Sequence, residues 1–66
     1  MDKKAEKVLL ELYGMLQKEL EENTHEKIKD EAENEGICDR AYHIREYLLE
    51  YILRFLEERV DFKTVV

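Results

Sequence analysis

Hydrophobic residues recur along this chain at helical intervals, dividing it into two amphipathic segments with a polar stretch between them. At about 100° per residue, Ala5, Val8, Leu9, Leu12, Met15, Leu16 and Leu20 gather on one side of the first segment, opposite Lys3, Lys4, Lys7, Gly14, Lys18 and Glu21. The pattern predicts a helix from Asp2 or Lys3 to about Glu22. Beyond Glu22 the phase slips, because Ile28 and Ala32 fall about 140 to 180° from the stripe of Leu9, Leu12 and Leu16 if the helix continues straight. Asn23 followed by Glu26 has the form of a capping box, and Thr24 offers an alternative cap. Two outcomes are therefore predicted: a long first arm kinked near Asn23, or a short separate helix from about Thr24 to Asn34. Ile28 and Ala32 are the only apolar residues of that stretch, so it supplies little core.

Gly36 is placed to take the left-handed position that ends a helix, with Ile37 making the accompanying hydrophobic contact and Asp39 capping the next helix. That helix is predicted from about Arg40 to Arg59 or Val60. Ala41, Ile44, Leu48, Tyr51 and Phe55 form one stripe on it; Leu49, Ile52, Leu53, Leu56 and Val60 form a second beside the first. Together they span roughly 200° or more, where a helix with one buried side needs about 100°. The first helix covers only one stripe. The second stripe, Leu49, Ile52, Leu53, Leu56 and Val60, is accordingly the predicted oligomer interface.

Length makes the excess significant. The chain has 66 residues, and at that size one core supplies only about 3 to 5 kcal/mol unless metal, disulfides or oligomerisation help. Cys38 is the single cysteine, so no disulfide forms within the chain. With no signal-like or membrane-spanning apolar run, a lone thiol fits a reducing, cytoplasmic setting. There is no proline, and glycine occurs twice; Leu, Glu, Lys, Arg and Ala dominate, which predicts an all-α fold. The expectation is one helical domain, 1–66: a helical hairpin assembling as an antiparallel helical bundle dimer.

Charge is unevenly spread. Between Glu19 and Glu35 lie eight acids and two bases, Lys27 and Lys29, a balance of −6 that equals the net charge of the whole chain. Such a zone disfavours non-specific nucleic-acid binding and favours a basic protein partner. Glu26, Glu31, Glu33 and Glu35 are the candidate partner-binding residues, with a solvated, solubilising helix tip as the plainer reading.

Candidate chemistry is sparse. Serine is absent, which removes serine-nucleophile catalysis. Glu22 and His25 form one E-x-x-H element of the kind that di-metal carboxylate bundles use twice, but His43 precedes Glu46 in the reverse order and the second copy is missing. The acids Glu19, Glu22, Glu46 and Glu50 resemble those of the MazG-type nucleotide pyrophosphohydrolases, whose first helices carry E-x-x-E and whose next helix carries E-x-x-D. That resemblance implies Mg²⁺ held between facing helices, yet Leu49 stands where the second acid is required. Cys38 precedes a helix N-terminus, where Asp39 opposes the lowering of its pKa, and no histidine is placed by sequence to act as its base. No catalytic residue, metal site or cofactor is predicted.

Tyr42, Tyr47, Tyr51, Phe55 and Phe62 could stack on bases, but aromatics at helical spacing are usually core or interface and few basic residues lie among them. In length and layout the chain resembles the plasmid-encoded ROP-type helical hairpin, which implies a dimeric four-helix bundle binding paired RNA loops on its first-helix face. Lys3, Lys4, Lys7 and Lys18 lie on that face, interrupted by Glu6, Glu11, Glu21 and Glu22. The reading that follows is a non-enzymatic adaptor or regulator, self-associating and binding another protein. The alternatives are a nucleic-acid-binding dimeric hairpin and an acidic DNA-mimic inhibitor.

Overall fold

An aspartate starts each helix. In the computed structural model, which describes residues 2–62, the carboxylate of Asp2 accepts a bond from the Lys4 amide (3.3 Å) and that of Asp39 accepts one from the Ala41 amide (2.9 Å). Each satisfies an amide that a helix start leaves without a partner. The helices are α1, Lys3–Glu33, and α2, Arg40–Arg59. They pack against each other as a hairpin, with no strand among the described residues. The hairpin measures 49 × 16 × 15 Å.

α1 runs unbroken through Asn23 and Thr24, so the separate helix from Thr24 to Asn34 is not formed. Neither residue caps. Asn23 is turned inward and donates from Nδ2 to the Tyr42 carbonyl at 3.0 Å, while the Thr24 hydroxyl donates to the Leu20 carbonyl at 3.0 Å. The phase slip is expressed as exposure instead of a break. Ile28 faces solvent, and the inner positions after Leu20 pass to Asn23 and Lys27.

The turn follows from a short set of hydrogen bonds. Glu35 and Gly36 both take left-handed backbone (φ 54° and 86°), which allows the Gly36 amide to reach the Glu31 carbonyl at 2.8 Å. Glycine adopts this conformation freely, whereas a residue with a Cβ does so at a cost. Asp30 then ties the turn together: its carboxylate accepts from the Asp39 amide (2.8 Å) and from Asn34 Nδ2 (3.0 Å). Ile37, expected to pack at this cap, is 72 % exposed.

The interior is thin. Leu53 and Leu56 are 7 % and 9 % exposed, and they are the only apolar residues buried among those described. Leu9, Leu16 and Leu20 of α1 and Leu49 of α2 are half-buried around them. A Cβ added at Gly14 would meet nothing within 4 Å, so no close backbone approach explains that glycine. Val65 and Val66, apolar positions of the C-terminal tail, lie outside the described residues.

Candidate interaction surfaces

Burial on one side of α2 leaves the other bare. Ile44, Leu48, Tyr51, Ile52 and Phe55 are between 41 % and 61 % exposed. Single exposed hydrophobics are ordinary on a protein surface; a contiguous row along a helix is a signal of contact. Its aromatics are arranged against their own helix: the Tyr47 and Tyr51 rings lie 6.4 Å apart, and the Arg59 guanidinium sits 3.7 Å over the Phe55 ring. α1 adds Val8, Leu12 and Met15, also exposed. At heptad spacing this row continues into Glu19, Glu22 and Glu26. Those three acids line one shallow groove with Arg45 of α2, so the free row of α1 turns apolar to acidic on approaching the turn.

The five residues expected at an oligomer interface divide between two environments. Leu53 and Leu56 are buried against α1, Leu49 and Val60 are half-buried, and only Ile52 is exposed. Of the four candidate partner-binding acids, Glu26, Glu33 and Glu35 are exposed and Glu31 is half-buried. Glu26 and Glu33 share an open groove with Lys29, Asp30 and Tyr42. Glu35 belongs to the left-handed turn and Glu31 supplies its carbonyl to that turn, so these two shape the tip as well as charging it.

Three polar contacts cross the hairpin at its middle and at both sides. Besides Asn23 to Tyr42, the Tyr13 hydroxyl donates to Glu57 Oε1 at 2.6 Å, and Lys27 Nζ pairs with Glu46 Oε2 at 3.2 Å. The hydrogen bond to Glu57, with partial burial and the carboxylate's charge behind it, pushes the Tyr13 phenol above its ordinary pKa. The bond to Glu46 raises Lys27, outweighing the opposing loss of hydration. Phe62 stacks on Tyr13 with centroids 4.2 Å apart, returning the end of the described chain to α1. Asn23 is 5 % exposed, and its Oδ1 has no hydrogen-bond partner among the described residues.

Cys38 and His43 meet at the turn, with Sγ and Nε2 3.1 Å apart. Sequence reasoning missed this pair because Cys38 precedes the cap of α2, so helical spacing does not apply to it. Loss of hydration, then a hydrogen bond from the thiol to Glu31 and that residue's charge, push the Cys38 pKa up; Lys27 pulls it down and Asp30 adds to the rise. A reactive cysteine needs the reverse, a stabilised thiolate. Among the described residues no three His, Cys, Asp or Glu side chains converge to hold a metal ion. Glu22 and His25 are both exposed. No described helix is long and apolar enough to cross a membrane.

Comparison with protein-family models, with curated proteins and with solved structures found no match.

Proposed function

We propose that this chain is a small non-enzymatic adaptor or regulator that self-associates through its free apolar side and presents its acidic turn to a basic protein. The observation that carries the reading is the continuous exposed row Ile44, Leu48, Tyr51, Ile52 and Phe55 on a hairpin that buries only Leu53 and Leu56 among its described apolar residues. Burying a leucine contributes about 1.5 to 3 kcal/mol, so two of them make a slender core. Covering the free row supplies the missing burial.

Placement of Leu53 and Leu56 within the chain moves the self-association face from the stripe containing them to the neighbouring stripe. Two hairpins joined there form an antiparallel helical bundle dimer. The acidic zone from Glu19 to Glu35 then remains open to solvent. Its net −6 opposes nucleic-acid phosphates and suits a cationic protein surface.

Equilibrium sedimentation at micromolar concentration tests the first half: the expected mass is at least twice the 8.0 kDa chain mass. A fully helical, cooperatively melting 8.0 kDa species would overturn it. For the second half, a partner bound through this zone loses affinity steeply with added salt, because exposed charges are screened beyond about 8 Å at physiological ionic strength. Changing Glu26, Glu31, Glu33 and Glu35 together to Gln is expected to flatten that dependence. Affinity and salt dependence unchanged in this variant would assign the zone to solubility.

A further inference from the structure

We infer that the occupant of the free side of α2 is α2 of a second copy, laid antiparallel about a two-fold axis between Leu48 and Tyr51. The inference rests on the self-association reading above and adds its orientation and register.

The row itself permits this arrangement. Ile44, Leu48, Tyr51 and Phe55 are spaced four, three and four residues apart, the same in either direction along the chain. A reversed copy therefore sets Ile44 against Phe55 of the second copy and Leu48 against its Tyr51. Apolar meets apolar at every level.

Charge selects the antiparallel choice over the parallel one. Arg40 and Glu58 are eighteen residues apart, about five whole helical turns, so they stand on the same edge of α2 at its two ends, and both are exposed. In the register fixed by the apolar row, Arg40 lies within one residue of Glu58 of the second copy, and the pair occurs twice by symmetry. A parallel copy would turn the two Arg40–Glu58 edges to opposite sides of the contact, so the pair would not form. Glu58 already approaches Arg59 of its own chain at 3.8 Å, a loose and exposed pairing that a rim contact can replace.

The acidic zone argues the same way. It runs from the middle of α1 to the turn, and the remaining residues sum to zero charge. A parallel dimer would crowd two zones of net −6 side by side at one end. The antiparallel dimer displaces the centres of the two zones to opposite sides of the two-fold, with only Glu19 and Glu22, which line a groove with Leu49, remaining level with it. The helix dipoles of the two α2 segments also oppose each other favourably only when antiparallel.

Cys38, the single thiol, reads the orientation directly. A nitroxide attached there lies about 17 Å along the axis from the two-fold, so pulsed dipolar spectroscopy on the labelled full chain should give a distance of about 35 Å. A separation below about 20 Å would establish a parallel pair and overturn the proposal. Sedimentation run alongside identifies the other failure: a monomer refutes the self-association reading itself, and the orientation falls with it. As a second measurement, Arg40→Glu and Glu58→Arg should each weaken dimerisation about fivefold at low salt, and the double exchange should restore it. Single exchanges without effect, or a double exchange that restores nothing, would remove the register.

Discussion

The two apolar stripes of α2 are nearly matched in size and spacing, yet one lies mostly inside the hairpin and the other mostly outside. Leu49, Leu53 and Leu56 are buried or half-buried in the hairpin, while Ile44, Leu48, Tyr51 and Phe55 are exposed. Hydrophobicity does not separate them, since both offer long aliphatic or aromatic side chains. What separates them is the polar residues beside each. Glu46 and Glu57 flank the inner stripe and pair with Lys27 and Tyr13 of α1, and on the same side the backbone carbonyl of Tyr42 accepts from Asn23. Turning α2 to bury the outer stripe would break all three contacts. Partners placed around an apolar contact thus fix its rotation, even where each contributes little to stability.

Charge insertion breaks this comparison most severely. Leu56→Asp places a carboxylate in the inner seam, a penalty of several kcal/mol against a small domain's total of about 5; circular dichroism should show loss of helix at ordinary temperature. Leu48→Asp touches only the outer stripe. It should keep hairpin helix content in stabilising osmolyte while abolishing association in sedimentation. Equal unfolding by both variants under those conditions would mean that the stripes are one cooperative core.

A smaller effect is expected at Asn23, whose buried Oδ1 lacks a partner and whose Nδ2 bonds to Tyr42. An unsatisfied buried polar atom is unfavourable by about 1 to 3 kcal/mol. Asn23→Leu removes that penalty along with the bond, so the melting temperature should hold or rise. The rotation of α2 should then be less sharply fixed, seen as broadened or doubled amide resonances for Tyr42 and its neighbours. A single sharp set would leave rotation to Glu46 and Glu57 alone.

Gly14→Ala serves as an outward control. The site is helical and open, so alanine should stabilise the protein by about 1 kcal/mol, a rise of about 4 to 8 °C in Tm, without altering association mass. A drop in mass would place Gly14 in a contact between chains.

The smallest effect is with alkali. Tyr13 and Lys27, raised by their bonds to Glu57 and Glu46, and Cys38 and Tyr42, raised chiefly by loss of hydration, all hold their protons more tightly in the folded chain. Their stabilisation is complete below the ordinary values of 9.0 for the thiol, 10.0 for the phenols and 10.5 for the ammonium, and declines as pH rises past each. Tm should fall modestly from pH 9 upward. Tyr13→Phe should shallow the fall near pH 10; an identical profile would show that the Glu57 contact plays no part.

Much of the hairpin was legible in the order of residues. Asp2 and Asp39 mark both helix starts, Gly36 the turn, and the heptad-like rows the two arms, because capping, left-handed backbone and helical period are local properties. Whether α1 continues past Glu22 was not legible. Asn23 and Glu26 have the letters of a cap, but a cap forms only if the chain leaves the helix there, and Tyr42 holds Asn23 inside. Nor could spacing show Cys38 beside His43, which meet only after the turn has bent back.

The sequence alone determined that α2 carries more apolar surface than one neighbour covers and that the charge of −6 lies in the Glu19 to Glu35 zone, since periodicity and charge need no knowledge of folding. Only the tertiary structure decided which stripe turns inward. Two stripes of similar hydrophobicity differ too little in burial energy to choose between them. The choice falls to directional contacts, Tyr13 to Glu57, Asn23 to Tyr42 and Lys27 to Glu46, which exist only once residues far apart in the chain are brought within hydrogen-bonding reach.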